Sequence, residues 1–413
     1  MVYAKTFPCG LKFAFKRTRS AVAYCALCIK SGTGNEPGQF AGMANLTEHM
    51  LFKGTEKRSA SEISNRLERL GGELNAYTTK DETVLYSTVL KEDVVKAVDL
   101  LFEMAFTSRF EQKELEKERS VVIDEINMYK DSPADTIFDD FEKFLYGSHR
   151  LARPILGDAK SLKKIKSEDI RAYVAENFIP ANMCISIVGR LSPQRAEKIA
   201  LSALEKYVPQ PQPRPERQIP PLKDGPLSAG CFFTKDISKK NHQVNCIIGA
   251  TSYSFYDSER LTMILLNNIL GGPCSNSRLN QELREKNALV YNVECLYTQY
   301  ADTGSFLIYF GCDKSNLDRC LELIHKEISV LREKKLSEKA LRDAKKQLLG
   351  QIAISSDSGE NQALSMGKSM LLFGKIMPDE EVRARINAIT AEGLMDVARK
   401  VMAPERLSTL IYR

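Results

Sequence analysis

Apolar positions along the chain fall into two periods, and the periods follow one another in the same order twice. Residues 22–30 and 243–251 are dense in small and β-branched apolar side chains and predict strands. A stretch with apolar residues at helical spacing comes next in each half, closed by a glycine pair, Gly71-Gly72 and then Gly271-Gly272. Residues 83–90 and 304–310 alternate as strands do. Long amphipathic helices are predicted over 91–106, 112–129 and 134–146 in the first half, and over 317–334 and 337–355 in the second. A helix over 167–177, a strand over 183–189 and a last helix and closing strand after 389–395 complete the pattern. Strands followed by runs of helices predict the α+β class, with helices packed on one face of a mostly antiparallel sheet. The repeated order reads as a divergent internal duplication giving two homologous domains; fold grammar shared by chance is the alternative.

The division falls near the middle. Seven of the 16 prolines lie between Tyr207 and Pro226, namely Pro209, Pro211, Pro213, Pro215, Pro220, Pro221 and Pro226. Such a segment is extended and poor in regular structure, as a linker is. The expected domains are therefore 1–206 and 227–413, joined by 207–226. A length of 413 residues agrees, since single cores stop growing above roughly 250–300 residues.

Composition narrows the function classes. With 43% hydrophobic and 27% charged residues the chain reads as globular. No apolar run approaches the ~20 residues of a membrane helix. Residues 1–20 are basic but lack the apolar stretch and cleavage site of a signal peptide. The net charge of +6 is spread without a basic run interleaved with aromatics, so neither nucleic acid nor membrane is an expected partner. Ten cysteines without an export signal read as reduced thiols in the cytoplasm. Cys25 and Cys28 form a CxxC, but no second pair exists to complete a zinc ribbon. Three apart on a strand, they point to opposite faces and read as buried small hydrophobes. Only four histidines occur, His49, His149, His242 and His325, so a metal site built on histidine alone is nearly excluded by supply.

The candidate chemistry lies in Gly42-Met-Ala-Asn-Leu-Thr-Glu-His-Met-Leu-Phe-Lys-Gly-Thr55. Helical periodicity puts Asn45, Glu48 and His49, at i, i+3 and i+4, on one face. With histidine at 45 this would be H-x-x-E-H, in which two histidines bind zinc and the glutamate activates water. Alone, a Glu-His pair on a helix is an ordinary solvated face.

Residues 31–86 resemble the pitrilysin/insulinase family of zinc metallopeptidases, in its mitochondrial-processing-peptidase-like branch of short two-domain chains. The matching residues are Ser31-Gly-Thr-Gly-Asn-Glu36, the 42–55 stretch, and Gly71-Gly-Glu-Leu-Asn-Ala-Tyr-Thr78. In that family a glutamate about 76 residues beyond the motif supplies the third zinc ligand. Its helix carries another glutamate two turns earlier. The resemblance therefore implies Asn45, His49 and Glu125 as the metal positions, Glu48 as general base and Glu118 as supporting neighbour. It also implies that substrate adds as a strand at an edge carrying Asn75 and Ala76.

In the second half, Leu270-Gly-Gly-Pro-Cys-Ser-Asn-Ser-Arg-Leu-Asn280 and Gln281-Glu-Leu-Arg-Glu-Lys-Asn-Ala-Leu-Val-Tyr291 resemble the family's second signature. Arg284 and Tyr291 then match the pair that contacts the substrate backbone and stabilises charge on the scissile carbonyl. Pro273, Asn287 and Ala288 depart from the usual pattern there. The resemblance implies that two chains form a clamshell, each lending Arg and Tyr to its partner's zinc, with the linker as hinge. A homodimer is expected, and a heterodimer with a related chain is the alternative. It extends over nearly the whole chain, through Arg153-Pro-Ile-Leu-Gly157 and Ile389-Thr-Ala-Glu-Gly-Leu-Met395.

Asn45 leaves three readings open. The chain is a non-catalytic family member, or an altered form of an active enzyme, or a working site with an unusual ligand. Glu48, His49, Glu118, Glu125, Arg284 and Tyr291 all stand at the expected spacings, which a scaffold alone would not need. The expected function is thus a zinc endopeptidase acting on peptides or unfolded segments, with one ligand position substituted. The alternative is a peptide-binding or scaffolding subunit of a related active peptidase.

Overall fold

The computed structural model describes residues 2–209, 214–239 and 242–413. Its strands are β1 (Val2–Thr6), β2 (Lys12–Arg17), β3 (Val22–Ile29), β4 (Glu73–Thr78), β5 (Thr83–Leu90), β6 (Met183–Gly189), β7 (Thr234–Ile237), β8 (Val244–Ser252), β9 (Val290–Gln299), β10 (Gly304–Cys312) and β11 (Ser408–Tyr412). One sheet runs β1-β2-β6-β3-β5-β4 and the other β7-β11-β8-β10-β9. Both are antiparallel except at one pair each, β2 with β6 and β11 with β7. The first half adds helices α1 (Met43–Leu51), α2 (Ala60–Glu68), α3 (Val94–Thr107), α4 (Gln112–Lys130) and α5 (Pro133–Tyr146). Two homologous α+β domains of sheet plus helices are thus present, as expected. No helix among the described residues is long and apolar enough to cross a membrane.

The compact units do not follow chain order. Unit 1 comprises the chain up to Asn127, Arg153–Gln218 and Ile354–Met377; unit 2 comprises Met128–Ala152, Ile219–Ala353 and Pro378–Arg413. This differs from contiguous domains at 1–206 and 227–413, because each sheet borrows a helix from the other half. In unit 2, α5 lays Ile137, Phe141 and Leu145 against Ile247, Leu307 and Leu410 of that unit's sheet. In unit 1, the helix Gly359–Phe373 covers Ala14, Ala26, Cys28 and Val188 with Ala363, Met366 and Met370. A sheet central to a domain has two apolar faces, and burial of the second face drives each exchange.

The opposite face of the first sheet buries Phe13 and Phe15 of β2 beneath the helix Pro193–Tyr207, and Cys25, Leu27 and Ile29 of β3 beneath α3. Cys25 and Cys28 therefore serve two different cores, as the strand period requires. Burial pushes the Cys25 thiol up to about 12 and raises Cys28 well above its usual value, so neither is a thiolate.

Of the linker prolines, Pro211 and Pro213 lie outside the described residues. Residues 214–221 have no regular structure, and Glu216 and Arg217 are fixed to unit 1. Glu216 takes Lys12 at 2.9 Å and Lys30 at 2.8 Å, while Arg217 bonds Asn177 and Asn182. Both lysines are buried, and the carboxylate offsets charge that would otherwise be costly there. These contacts make Glu216 and Arg217 part of unit 1.

Candidate metal centre

Helix α1 carries the first group of site residues. Its N-cap is Gly42 at φ 91, a left-handed position beside the Leu156 carbonyl, where a Cβ would stand 2.7 Å from that oxygen. Glycine cannot cap with a side chain, and Glu36 does so from outside the helix. Its carboxylate accepts from the Gly42 amide at 3.1 Å and the Ala44 amide at 2.8 Å. Burial pushes the Glu36 carboxyl up to about 8, against the opposing pull of those two amides and of Arg153 and Lys80.

Leu46 and Met50 anchor α1 in the core, which turns Asn45, Glu48 and His49 to the other side. His49 sits between two carboxylates of α4: Nδ1 lies 3.4 Å from Glu118 Oε2, and Nε2 lies 3.7 Å from Glu125 Oε2. Glu118 and Glu125 are two helical turns apart, so both reach one imidazole. Glu118 is buried and held from behind by Lys53 Nζ at 2.7 Å, whereas the Glu125 side chain is 47% exposed. Burial raises the Glu48 carboxyl above the usual glutamate range, opposed by a hydrogen bond from Thr78 and by His49, and reinforced by Glu125.

Asn45 is 7% exposed, and its Oδ1 has no hydrogen-bond partner among the described residues. A buried carboxamide oxygen without a donor costs free energy that a cation would recover. Among the described residues no group of three or more His, Cys, Asp and Glu is arranged to hold a metal. With the Asn45 oxygen counted beside His49 and Glu125, the donor number becomes the three that a catalytic zinc site uses. The set therefore fits zinc in number, with one strong nitrogen replaced by a weak neutral oxygen.

The edge strand lies beside this helix. β4 pairs only with β5 and ends the sheet, with Asn75 opposite Tyr86 and Ala76 opposite Leu85. α1 packs against β4, and Thr78 of that strand reaches Glu48. Among the described residues no strand pairs with the other edge of β4.

Arg284 and Tyr291 belong to unit 2 and not to this cluster. Arg284 lies in a π-helical turn, Asn280–Glu285, and Tyr291 is the second residue of β9, which is also an edge strand. Both face solvent, Tyr291 at 70%. The turn closes with the Ala288 amide on the Arg284 carbonyl and the Leu289 amide on the Leu283 carbonyl. That closure needs a left-handed residue, and Ala288 occupies it at φ 50. Ala288→Gly is expected to stabilise unit 2 by about 0.5–1 kcal/mol, the relief of left-handed strain less the entropy glycine adds to the unfolded chain. Urea denaturation of the pair checks it, and an equal or lower midpoint would contradict it.

Sequence reasoning placed no role on Glu36, Lys53 or Thr78. Glu36 stood within a matched motif, and Lys53 follows His49 by one turn, so both carried a faint signal. Thr78 too closed a matched motif, but only the packing of β4 beside α1 brings it to Glu48.

Comparisons with known proteins give the family and the fold. The family model described as Insulinase (Peptidase family M16) matches residues 12–159, and that of the Peptidase M16 inactive domain matches 164–348. The uncharacterized zinc protease YmxG of Bacillus subtilis is 32% identical over 385 residues, covering 93% of this chain and 91% of its own. An uncharacterized zinc protease of Streptomyces coelicolor is 30% identical over 398 residues, covering 96% of this chain and 86% of its own. The fold matches that of a peptidase M16 inactive domain from Pseudomonas fluorescens, with a TM-score of 0.89 at 23% identity over 100% of this chain and 97% of that one. It also matches a protease from Helicobacter pylori, with a TM-score of 0.90 at 19% identity over 100% and 99% of the two chains. With Glu48, His49, Glu118 and Glu125 gathered on α1 and α4 and both halves matched in order, the chain belongs to the insulinase family of peptidases, M16.

Proposed function

We propose that the chain is built as a zinc-dependent endopeptidase of short, paired chains, with one ligand position altered at Asn45. The observation that carries this is the His49 imidazole held between Glu118 and Glu125 beside a buried, unpartnered Asn45 oxygen. Asn45, His49 and Glu125 would hold the ion. Zinc, when bound, supplies Lewis acidity toward a peptide carbonyl and acidity to its water. Glu48 would take the proton from that water, and burial favours this by raising its carboxyl above the usual glutamate range. Lys53 holds Glu118 in place, and Glu118 would orient the imidazole through Nδ1.

Substrate in this reading is an extended peptide or unfolded segment added along β4, with Asn75 and Ala76 facing it. Arg284 and Tyr291, exposed in the single chain, would donate to the peptide oxygens in the site of a second chain, most simply another copy. That pairing is the form expected of the processing-peptidase-like branch. The Asn45 carboxamide also favours a second reading, a non-catalytic subunit that binds peptides for an active relative. Zinc content and cleavage of an unstructured peptide, before and after Asn45→His, separate the two. If the histidine form gains neither, the peptidase reading fails and the subunit reading stands.

A further inference from the structure

Unit 2 contains a groove of about 620 Å³ between the helix Glu338–Ser355 and the helix Asp379–Ala388. It is lined by Arg342, Lys345, Lys346, Leu349, Gly350 and Ala353 of the first helix, with Arg383 and Asn387 of the second. The six residues of the first helix recur at three and four apart and so form one continuous stripe. At about 1.5 Å per residue the stripe is roughly 16 Å long, three helical turns. Its first half is cationic and its second half small and apolar.

Three observations set this groove apart from a solvated basic face. Among the described residues every charged one lining it is a cation. Lys345 donates to the Asn387 carbonyl at 2.7 Å, and neither Lys346 nor Arg383 has a salt-bridge partner among the described residues. Among the described residues Arg342 has only Glu338 as an ion-pair partner, at 3.7 Å with both side chains largely exposed. The glycine is the third. Gly350 lies inside an 18-residue helix, where glycine is the least favourable residue after proline. A Cβ there would meet nothing within 4 Å, so no packing inside the chain requires its absence. Glycine at such a point leaves room for something to approach the helix backbone closely.

We propose that this groove docks an acidic amphipathic helix of a partner polypeptide. Its carboxylates would meet Arg342, Lys346 and Arg383, and its aliphatic side chains would lie over Leu349, Gly350 and Ala353. Charge complementarity fixes the sign of the partner. The apolar half of the stripe favours a polypeptide over a nucleic acid, since no aromatic residue lines the groove to stack on bases. The concave shape, between two helices, suits a rod and not a flat lipid surface.

The test uses the full chain and a labelled helix-forming peptide with glutamates on one face and leucines on the other. Its counterpart has lysine in place of each glutamate, and binding is read by fluorescence anisotropy. The acidic peptide should bind and the basic one should not, with affinity falling about tenfold or more between low and high salt. Lys346→Glu with Arg383→Glu should weaken binding by about tenfold or more. Gly350→Leu is the decisive variant, because it fills the floor of the groove while favouring the helix. It should lose binding about tenfold or more with an unchanged or higher melting temperature. Equal binding by Gly350→Leu and the parent, or no binding of the acidic peptide at low salt, would overturn the proposal. So would a single-stranded oligonucleotide or anionic vesicle that binds more tightly and is lost with the same variants.

Discussion

Replacing Asn45 with histidine is expected to raise zinc affinity by well over 100-fold and to bring peptide cleavage with it. The scale follows from outer-shell partners: losing even one of those costs about 10–100-fold in metal affinity, and position 45 is closer to the ion than that. Imidazole offers zinc a strong nitrogen donor where the carboxamide offers a weak neutral oxygen. In the proposed set, His49 already lies between Glu118 and Glu125. Titration against a competing chelator gives the affinity, and a fluorogenic unstructured peptide gives the cleavage. Adding Glu48→Gln to the histidine form should leave zinc bound while cleavage falls by about 10²–10⁴-fold, the usual contribution of a general base. Asn45→Ala should bind zinc no better than the parent. A histidine form that binds zinc tightly yet cleaves nothing, even as a dimer, would place the defect elsewhere than at position 45.

Arg58→Ala is expected to destabilise unit 1 by about 3–5 kcal/mol, because it strands a buried charge. Glu103 on α3 is fully buried, at 0% exposure. Its carboxylate pairs with Arg58, accepts from Thr55 at 2.6 Å and from Tyr207 at 3.0 Å. Taking away the guanidinium leaves two neutral donors facing an ion that water cannot reach. The hydroxyls that remain put the cost toward the lower end of that range. The change should appear as a lower urea midpoint with an unchanged slope. Adding Glu103→Gln should recover much of the loss, since the amide keeps the shape and removes the charge. A cost for Arg58→Ala below about 1 kcal/mol would mean that the pair behaves as an exposed one. The network also ties the end of the helix Pro193–Tyr207 to α3 and to the loop after α1, so its loss would loosen the site helix as well.

Much of the site was readable in the chain. Asn45, Glu48 and His49 share a face because a helix repeats every 3.6 residues, and Glu118 and Glu125 share another for the same reason. The strands and the long helices followed from apolar periodicity, and the predicted helix over 112–129 agrees closely with α4. Short-range geometry decides such features, so the local sequence contains them. The contact stretch around Arg284 was less legible. Helical spacing there gives only a π-helical turn, because the chain must reach β9 a few residues later. Boundaries at 206 and 227 missed the exchange of α5 and the helix Gly359–Phe373 between the units.

By itself, then, the sequence determined the candidate donors, their spacing along each helix, the repeated order of strands and helices, and the asparagine at the first proposed metal position. Tertiary structure alone decided which surfaces meet. It set α5 and the helix Gly359–Phe373 on the sheets of the opposite halves, Glu36 at the start of α1, Lys53 behind Glu118, and Thr78 on Glu48. The physical reason is that hydrophobic burial has no direction. An amphipathic helix declares that it has an apolar face, but only the packed fold settles which sheet that face covers.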